Sequence, residues 1–233
     1  MKLIKNIAII PARGGSKRIP RKNIKNFVGK PILAYSIEAA INSEIFDEIM
    51  VSTDDGGIAK VATTHGATAP FIRSETNADD FATLSDVLIE VVENYAKTGV
   101  EIENICCILP TAPFLTAKTI KKSYTQFIEN NYDSLYPVVE FSYPIQRSLV
   151  RNEEGIIKMA QSKYLRTRSQ DLEKHYHDCG QFYWIKKECL VELKSLMTTN
   201  TGMIELTQLE VQDIDTPADW KNAELKYRIL NEK

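Results

Sequence analysis

The sequence predicts a three-layer α/β domain: a mostly parallel, doubly wound sheet with helices on both faces. Three observations carry this. Short apolar runs of strand length alternate with amphipathic helical stretches along most of the chain, and strands joined by crossover helices pair in parallel. A basic, glycine-containing loop directly follows the first apolar run, where open α/β sheets place their ligands. The 233 residues are 43% hydrophobic and 26% charged, with a net charge of −2. That is ordinary globular composition, in a chain long enough to bury a core without a disulfide or metal staple. It excludes a disordered chain and a protein that coats nucleic acid with its whole surface. At about 150 residues per domain, residues 1–233 fit a single domain, with room for an insertion.

The elements follow in order. Residues 5–10 read as a buried central strand, ended by Pro11. A helix follows over 32–41, and 48–52 is the next strand. The clearest helix spans 83–95, where Leu84, Val87, Leu88, Val91, Val92 and Tyr95 recur at three- and four-residue spacing. Residues 104–109 form an apolar strand. A helix over 117–130 carries Ile120, Tyr124, Phe127 and Ile128 on one face, and 134–139 is another strand. The rhythm breaks over residues 141–178, a polar stretch with Arg147, Arg151, Arg166 and Arg168 but no long apolar period. Composition leaves two readings open there, a solvated excursion or an inserted subdomain that packs on a partner chain. The sheet resumes at 181–185 and 209–213. The last helix opens at Thr216 as N-cap, with Pro217 first and Asp219 third, a capping-box pattern.

Near the start the only apolar run is residues 7–10. A signal peptide needs about 7–15 apolar residues and a spanning helix about 20, so no membrane partner is expected. Four cysteines include no C-x-x-C, and the adjacent Cys106 and Cys107 would face opposite sides of a strand. They read as core residues, and the compartment as the reducing cytoplasm.

The chemistry concentrates after the first strand. Between Pro11 and Lys30 stand seven basic residues (Arg13, Lys17, Arg18, Arg21, Lys22, Lys25, Lys30) and no acid, so the remainder of the chain carries a net −9. Glycines let backbone N–H groups approach phosphate oxygens while the cations neutralise charge, which describes a polyphosphate cradle. Two standard cradles are excluded. The one Gly-Lys, Gly29-Lys30, is followed by Pro31 rather than Ser or Thr, and Gly14-Gly15-Ser16 does not supply G-x-G-x-x-G.

A second constellation is Asp213-Ile214-Asp215. On a strand end its two carboxylates would converge while Ile214 turned inward. Converging carboxylates beside a polyphosphate suit Mg²⁺, which takes one or two carboxylates plus phosphate oxygens. His175 and His177 lack a third soft ligand at useful spacing, so they read as hydrogen-bonding groups rather than a zinc site. Gln181-Phe182-Tyr183-Trp184 alternates amide and aromatic groups, which serves either a core strand or a sugar-binding wall.

Together these residues resemble the cytidylyltransferases that activate nine-carbon acidic sugars. The resemblance runs nearly end to end. It rests on Ile-Pro-Ala-Arg-Gly-Gly-Ser-Lys (10–17), Pro-Arg-Lys-Asn-Ile (20–24), Gly-Lys-Pro-Ile (29–32) and Ser-Thr-Asp-Asp (52–55). The later motifs, Tyr143 to Arg147, Thr167 to Leu172, Tyr176 to Asp178 with Gly180 to Trp184, and Asp213 to Pro217, are more similar to the pseudaminic acid branch than to the acylneuraminate branch. Two departures from the acylneuraminate pattern, at Leu109-Pro110-Thr111 and Cys179-Gly180-Gln181, fall where the sugar would sit.

The resemblance implies a nucleotide-diphospho-sugar-transferase fold and a homodimer built through residues 141–178. It also implies transfer of CMP from CTP to the anomeric hydroxyl of an acidic nine-carbon sugar, pseudaminic acid, with Mg²⁺ on Asp213 and Asp215. By the matched positions Arg13, Lys17 and Lys22 hold the triphosphate, supported by Ala12, Gly14, Ser16 and Asn23. Arg13, Lys22 and the two aspartates carry the catalysis. Arg73, Ala82 and Thr83 face cytosine and ribose, Gln181 and Tyr183 line the sugar side, and Arg166 or Arg168 reaches the partner's site. Sialic, legionaminic and deoxyoctulosonic acids stand as alternative sugars. Outside the enzymes, a nucleotide-binding regulator is expected to lack the metal carboxylates, and an RNA-binding module to spread its basic residues over a face.

Overall fold

The computed structural model describes residues 2–231. Strand β1 (Lys2–Pro11) begins three residues before the strand expected from residue 5, because Lys2 to Ile4 pair with a neighbouring strand. Its side chains alternate between layers: Ile7 and Ile9 enter one, Ala8 and Ile10 the other. Beyond the basic loop the two-residue strands β2 (Asn26–Phe27) and β3 (Lys30–Pro31) form a small hairpin. Helix α1 (Ile32–Ser43) then packs on the Ala8/Ile10 face. Strand β4 (Glu48–Ser52) lies where the sequence places it, parallel to β1.

Two further helices have no counterpart in the sequence periodicity: α2 (Gly56–Thr64), capped by Asp55, and the short α3 (Glu75–Ala78), capped by Ser74. Helix α4 (Leu84–Lys97) crosses the opposite face of the sheet, opening with a capping box between Thr83 and Asp86. Strand β5 (Val100–Ile108) runs parallel to β1 on its other side. Because α1 and α4 cover different faces, the winding reverses at β1, and a crevice opens at the carboxyl ends of β1, β4 and β5. Cys106 and Cys107 point into opposite layers, both fully buried, and burial raises the Cys107 thiol to about 12.

Helix α5 (Ala117–Glu129), capped by Thr116, leads into β6 (Ser134–Glu140). The chain then leaves the sheet. Residues 141–175 hold a two-stranded hairpin, β7 (Leu149–Arg151) with β8 (Ile157–Met159), among short turns. Leu149, Ile156, Ile157 and Leu165 are all about 60% exposed and Tyr143 is 84% exposed, so this excursion buries little of its own apolar surface. Its expected end at 178 shifts to 175, because β9 (Tyr176–Asp178) already pairs with β6.

Strand β10 (Phe182–Lys186) is antiparallel to both β5 and β6, as β9 is to β6, while the other pairings of the central sheet are parallel. Between Leu135 and Val138 of β6, three residue steps face the six from Asp178 to Trp184. The surplus is absorbed by Cys179-Gly180-Gln181, and Gly180 supplies the φ of +63° that this bulge needs. Helix α6 (Lys187–Leu193) follows, then the edge strand β11 (Thr201–Glu205), parallel to β6.

The strand expected over 209–213 does not form. There Thr207 donates from its backbone N–H (2.9 Å) and hydroxyl (2.7 Å) to Glu210 Oε2, and Glu210 N–H returns to the Thr207 carbonyl. This side-chain-locked turn takes the backbone groups a ladder would need. The final helix α7 (Pro217–Asn231) has the expected box, with Asp219 N–H donating to Thr216 Oγ1 and Thr216 N–H to Asp219 Oδ2. Its Trp220 and Tyr227 pack edge-on against Phe27 at 5.5 and 5.6 Å, and Ile214 is buried in the same cluster. The segment before α7 is thereby pinned beside the basic loop.

Candidate active site

The loop after β1 is folded by its own polar groups. Asn23, buried, donates from Nδ2 to the Arg13 carbonyl at 2.9 Å, and Ala12 N–H donates to the Ser52 carbonyl. Gly14 N–H donates to Asp54 Oδ1 at 2.8 Å, and a Cβ on Gly14 would stand 3.1 Å from the Asp55 Cβ. A side chain at this position would therefore crowd the 52–55 turn. Asp55 caps α2 through Ile58 N–H and pairs with Arg21. The Ser52 to Asp55 motif is therefore the brace of the loop.

A cavity of about 300 Å³ opens where this loop, the turn before α4 and the end of β5 meet. Of the residues singled out from sequence, Arg13, Ser16, Lys17, Lys22 and Asn23 line it from the loop. Arg73, Ala82 and Thr83 line it from the α4 side, and Asp215 from the segment before α7. Leu109, Pro110 and Thr111 supply the wall at the end of β5.

The acid missing from the loop is provided by tertiary structure. Arg13 Nη1 contacts Asp80 Oδ1 at 3.0 Å and the Asp79 carbonyl at 2.5 Å, and Lys17 pairs with the other Asp80 oxygen. Arg18 Nη1 lies 2.9 Å from Asp215 Oδ2, while Lys22 Nζ donates to the Ile214 carbonyl at 2.6 Å and stands 3.6 Å from Asp215 Oδ1. Lys30 pairs with Glu38, and Lys25 lies over the Trp220 ring at 4.5 Å. The expected seven-cation cradle is thus smaller. Four loop cations, Arg13, Lys17, Arg18 and Lys22, face the cavity.

Arg73 reaches the cavity as a buried group, donating from Nε to Ser52 Oγ at 3.0 Å and from Nη2 to the Ser52 carbonyl. Burial lowers its pKa, while the charges of Asp54 and Glu90 oppose that shift. A guanidinium stays charged throughout.

Asp213 and Asp215 flank the buried Ile214, so the alternation expected of a strand end survives in an irregular segment. Although Asp213 is exposed, lost solvation and then the neighbouring Asp215 charge push its carboxyl above the usual range. Two like charges held this close favour a cation between them. With only two carboxylates at hand, they fit an ion that completes its shell from phosphate and water, as Mg²⁺ does.

Other residues lie elsewhere. Ala12, Gly14 and Asp213 stand behind or beside the cavity rather than in its lining. Gln181 and Tyr183 do not line it either: Gln181 Nε2 donates to the Glu210 carbonyl at 2.6 Å, and Tyr183 Oη to Asp178 Oδ2 at 2.6 Å. The aromatic wall read from 181–184 is corrected at Phe182 and Trp184, which are fully buried on the other sheet face. Trp184 stacks between Phe46 and Phe127 and donates to Ser123 Oγ at 2.9 Å. Arg168 grips Asp171 at 2.7 and 3.2 Å, and Arg166 is exposed in the excursion, so neither reaches this chain's cavity. The sequence reading missed Asn77, Asp79 and Asp80 as lining groups, and it counted Arg18 among the cradle's cations without giving it a place in the site. The Asp79-Asp80 pair after a helix-length gap was the signal available. Among the described residues, two buried amide oxygens, Gln146 Oε1 and Gln181 Oε1, have no hydrogen-bond partner.

A doubly wound sheet whose winding-reversal crevice gathers Arg13, Lys17, Arg18 and Lys22 around one cavity, with Asp215 among them, has the architecture of an α/β nucleotidyltransferase. Among solved structures the fold is similar to CMP:2-keto-3-deoxy-manno-octonic acid synthetase complexed with CTP, at TM-score 0.71 and 19% identity over 97% of this chain and 99% of that one. The cytidylyltransferase family model matches residues 7–212, and the chain belongs to that family. Pseudaminic acid cytidylyltransferase of Campylobacter jejuni subsp. jejuni is 42% identical over 98% of this chain and 99% of its own length. The CMP-N,N'-diacetyllegionaminic acid synthase of Legionella pneumophila is 32% identical over 97% of each.

Proposed function

We propose that the protein transfers CMP from CTP to the anomeric hydroxyl of pseudaminic acid, giving CMP-pseudaminic acid and pyrophosphate. The observation that carries this reading is the 42% identity to the Campylobacter jejuni pseudaminic acid enzyme along essentially the whole chain. The lower identity to the legionaminic acid synthase ranks that sugar second.

The chemistry suits the cavity. The hydroxyl oxygen bonds to the α-phosphorus in line, the bond from that phosphorus to the β-bridging oxygen breaks, and the hydroxyl proton passes to solvent or buffer. Negative charge grows on the departing pyrophosphate, and Arg13, Lys17, Arg18 and Lys22 stand where they can offset it. Asp213 and Asp215 would hold Mg²⁺, which supplies further neutralisation of phosphate oxygens. The buried Arg73 and the capped Thr83 turn form the rigid wall for base and ribose.

The reading includes a homodimer formed through residues 141–175, supported by the exposed apolar residues of that excursion. In it Arg166 or Arg168 binds the sugar carboxylate of the neighbouring site, and Gln181 and Tyr183 flank the sugar from behind. CTP supply places the reaction in the cytoplasm. Incubating the protein with CTP, Mg²⁺ and pseudaminic, legionaminic or sialic acid in turn tests the reading. CMP-sugar should form fastest with pseudaminic acid, and preference for another acid would reassign the substrate.

A further inference from the structure

We infer that Asp80 is a built-in occupant of the phosphate site, a carboxylate that holds Arg13 and Lys17 until the nucleotide's phosphates displace it. This rests on the reading of the cavity as a triphosphate site. In that reading Asp215 has a task with the metal, whereas Asp80, an acid in a site for an anion of high charge, has none.

The geometry is that of a phosphate mimic. Each Asp80 oxygen takes one cation: Oδ1 meets Arg13 Nη1 at 3.0 Å and Oδ2 meets Lys17 Nζ. Two oxygens of one phosphate would engage the same pair in the same way. The Lys17 hydrogen bond and charge, followed by the Arg13 charge, hold the Asp80 carboxyl below its ordinary range, so it is ionised wherever the enzyme would work.

The turn that carries Asp80 is shaped to be displaced. Asp79 Oδ1 accepts from Phe81 N–H and Ala82 N–H, both at 2.8 Å, which preserves the turn as a unit. Firm anchors lie on either side: Ser74 and Asn77 bond Glu90 of α4, and Thr83 is locked in its capping box with Asp86. Between them Phe81 is 90% exposed and only Ala78 and Ala82 are half-buried, so moving the turn uncovers little apolar surface. What holds Asp80 inward is the cations themselves. The nucleotide tail must therefore exchange one anion for another, and pyrophosphate leaves a site whose cations have a waiting partner.

Titration of metal-free full-length protein with inorganic pyrophosphate, followed by calorimetry, tests this with Asp80→Asn. Losing two exposed ion pairs and one repulsive charge should tighten pyrophosphate binding about two- to thirty-fold. Cytidine affinity should not change, and Asp80→Glu should bind pyrophosphate as the wild type does. In turnover, Asp80→Asn should show a lower KM for CTP and stronger inhibition by pyrophosphate. Unchanged or weaker metal-free binding by a variant with a native circular dichroism spectrum would overturn the inference while leaving the cavity's assignment intact. If neither wild type nor variant binds pyrophosphate, the phosphate site itself is misassigned and the inference falls with it.

Discussion

The loop after β1 and the excursion after β6 are both rich in cations, yet the fold treats them in opposite ways. In the loop, Arg21, Lys17 and Lys22 find partners 34, 63 and 192 residues away. In the excursion, Arg168 is satisfied by Asp171 three residues on. The loop's apolar residues Ile19 and Phe27 are buried, while Leu149, Ile157 and Leu165 remain open. Long-range pairing turns a flexible basic stretch into one wall of a cavity. Local pairing at Arg168 leaves the excursion with its apolar residues open to solvent, which is where the proposed interface is sought.

The comparison breaks most sharply at the paired carboxylates. Asp215→Asn, and separately Asp213→Asn, should lower kcat at saturating Mg²⁺ by at least ~10²-fold, the scale for losing a group that stabilises transition-state charge. The thermal midpoint should move little, because both sit in an irregular solvent-facing segment. Wild-type turnover in both variants would remove the metal from this site.

Within the loop itself, Arg13→Ala or Lys22→Ala should cut kcat/KM for CTP by at least ~10²-fold, with a smaller change in the sugar's KM. Steady-state kinetics with each substrate varied separates the two. An effect confined to the sugar would send the triphosphate elsewhere.

A mixing experiment addresses the excursion. Asp215→Asn and Arg168→Ala chains are each expected to be nearly inactive. If Arg168 acts across an interface, a mixed dimer has one doubly damaged site and one intact site, and activity returns to about half per dimer. Absence of recovery in a mixture shown by mass spectrometry to exchange subunits would confine Arg168 to its own chain. Leu149→Asp in the same excursion should shift the sedimentation coefficient toward the monomer.

The smallest effect belongs to the brace behind the loop. Asp55→Ala removes an N-cap and should cost about 1 kcal/mol, a fall in Tm of about 2–4 °C for a chain of this size. Its folded pKa lies below the ordinary aspartate value, first because Ile58 N–H bonds the ionised form and then, against the cost of burial, because of Arg21. The contribution is therefore present above the unfolded-state pKa of about 3.9 and is lost as pH falls through the folded value. Urea unfolding of wild type and variant at pH 7 and at pH 2.5 should show the gap closing at the lower pH.

What the sequence determined by itself was set by near neighbours. The strand at Glu48–Ser52, the apolar face of α4, the Thr216 to Asp219 box and the opposite facing of Cys106 and Cys107 all follow from spacing within a few residues. So did the inward turn of Ile214, although the strand imagined around it is absent. Tertiary structure alone decided which sheet face took Trp184, that β10 runs antiparallel, and that β11 rather than residues 209–213 forms the edge. It also decided that a loop without acids would be met by Asp55, Asp80 and Asp215. Periodicity and capping are short-range physics written in consecutive residues. The partner of a charge or the neighbour of a strand depends on how crossovers bring distant segments together, and no local pattern encodes that distance.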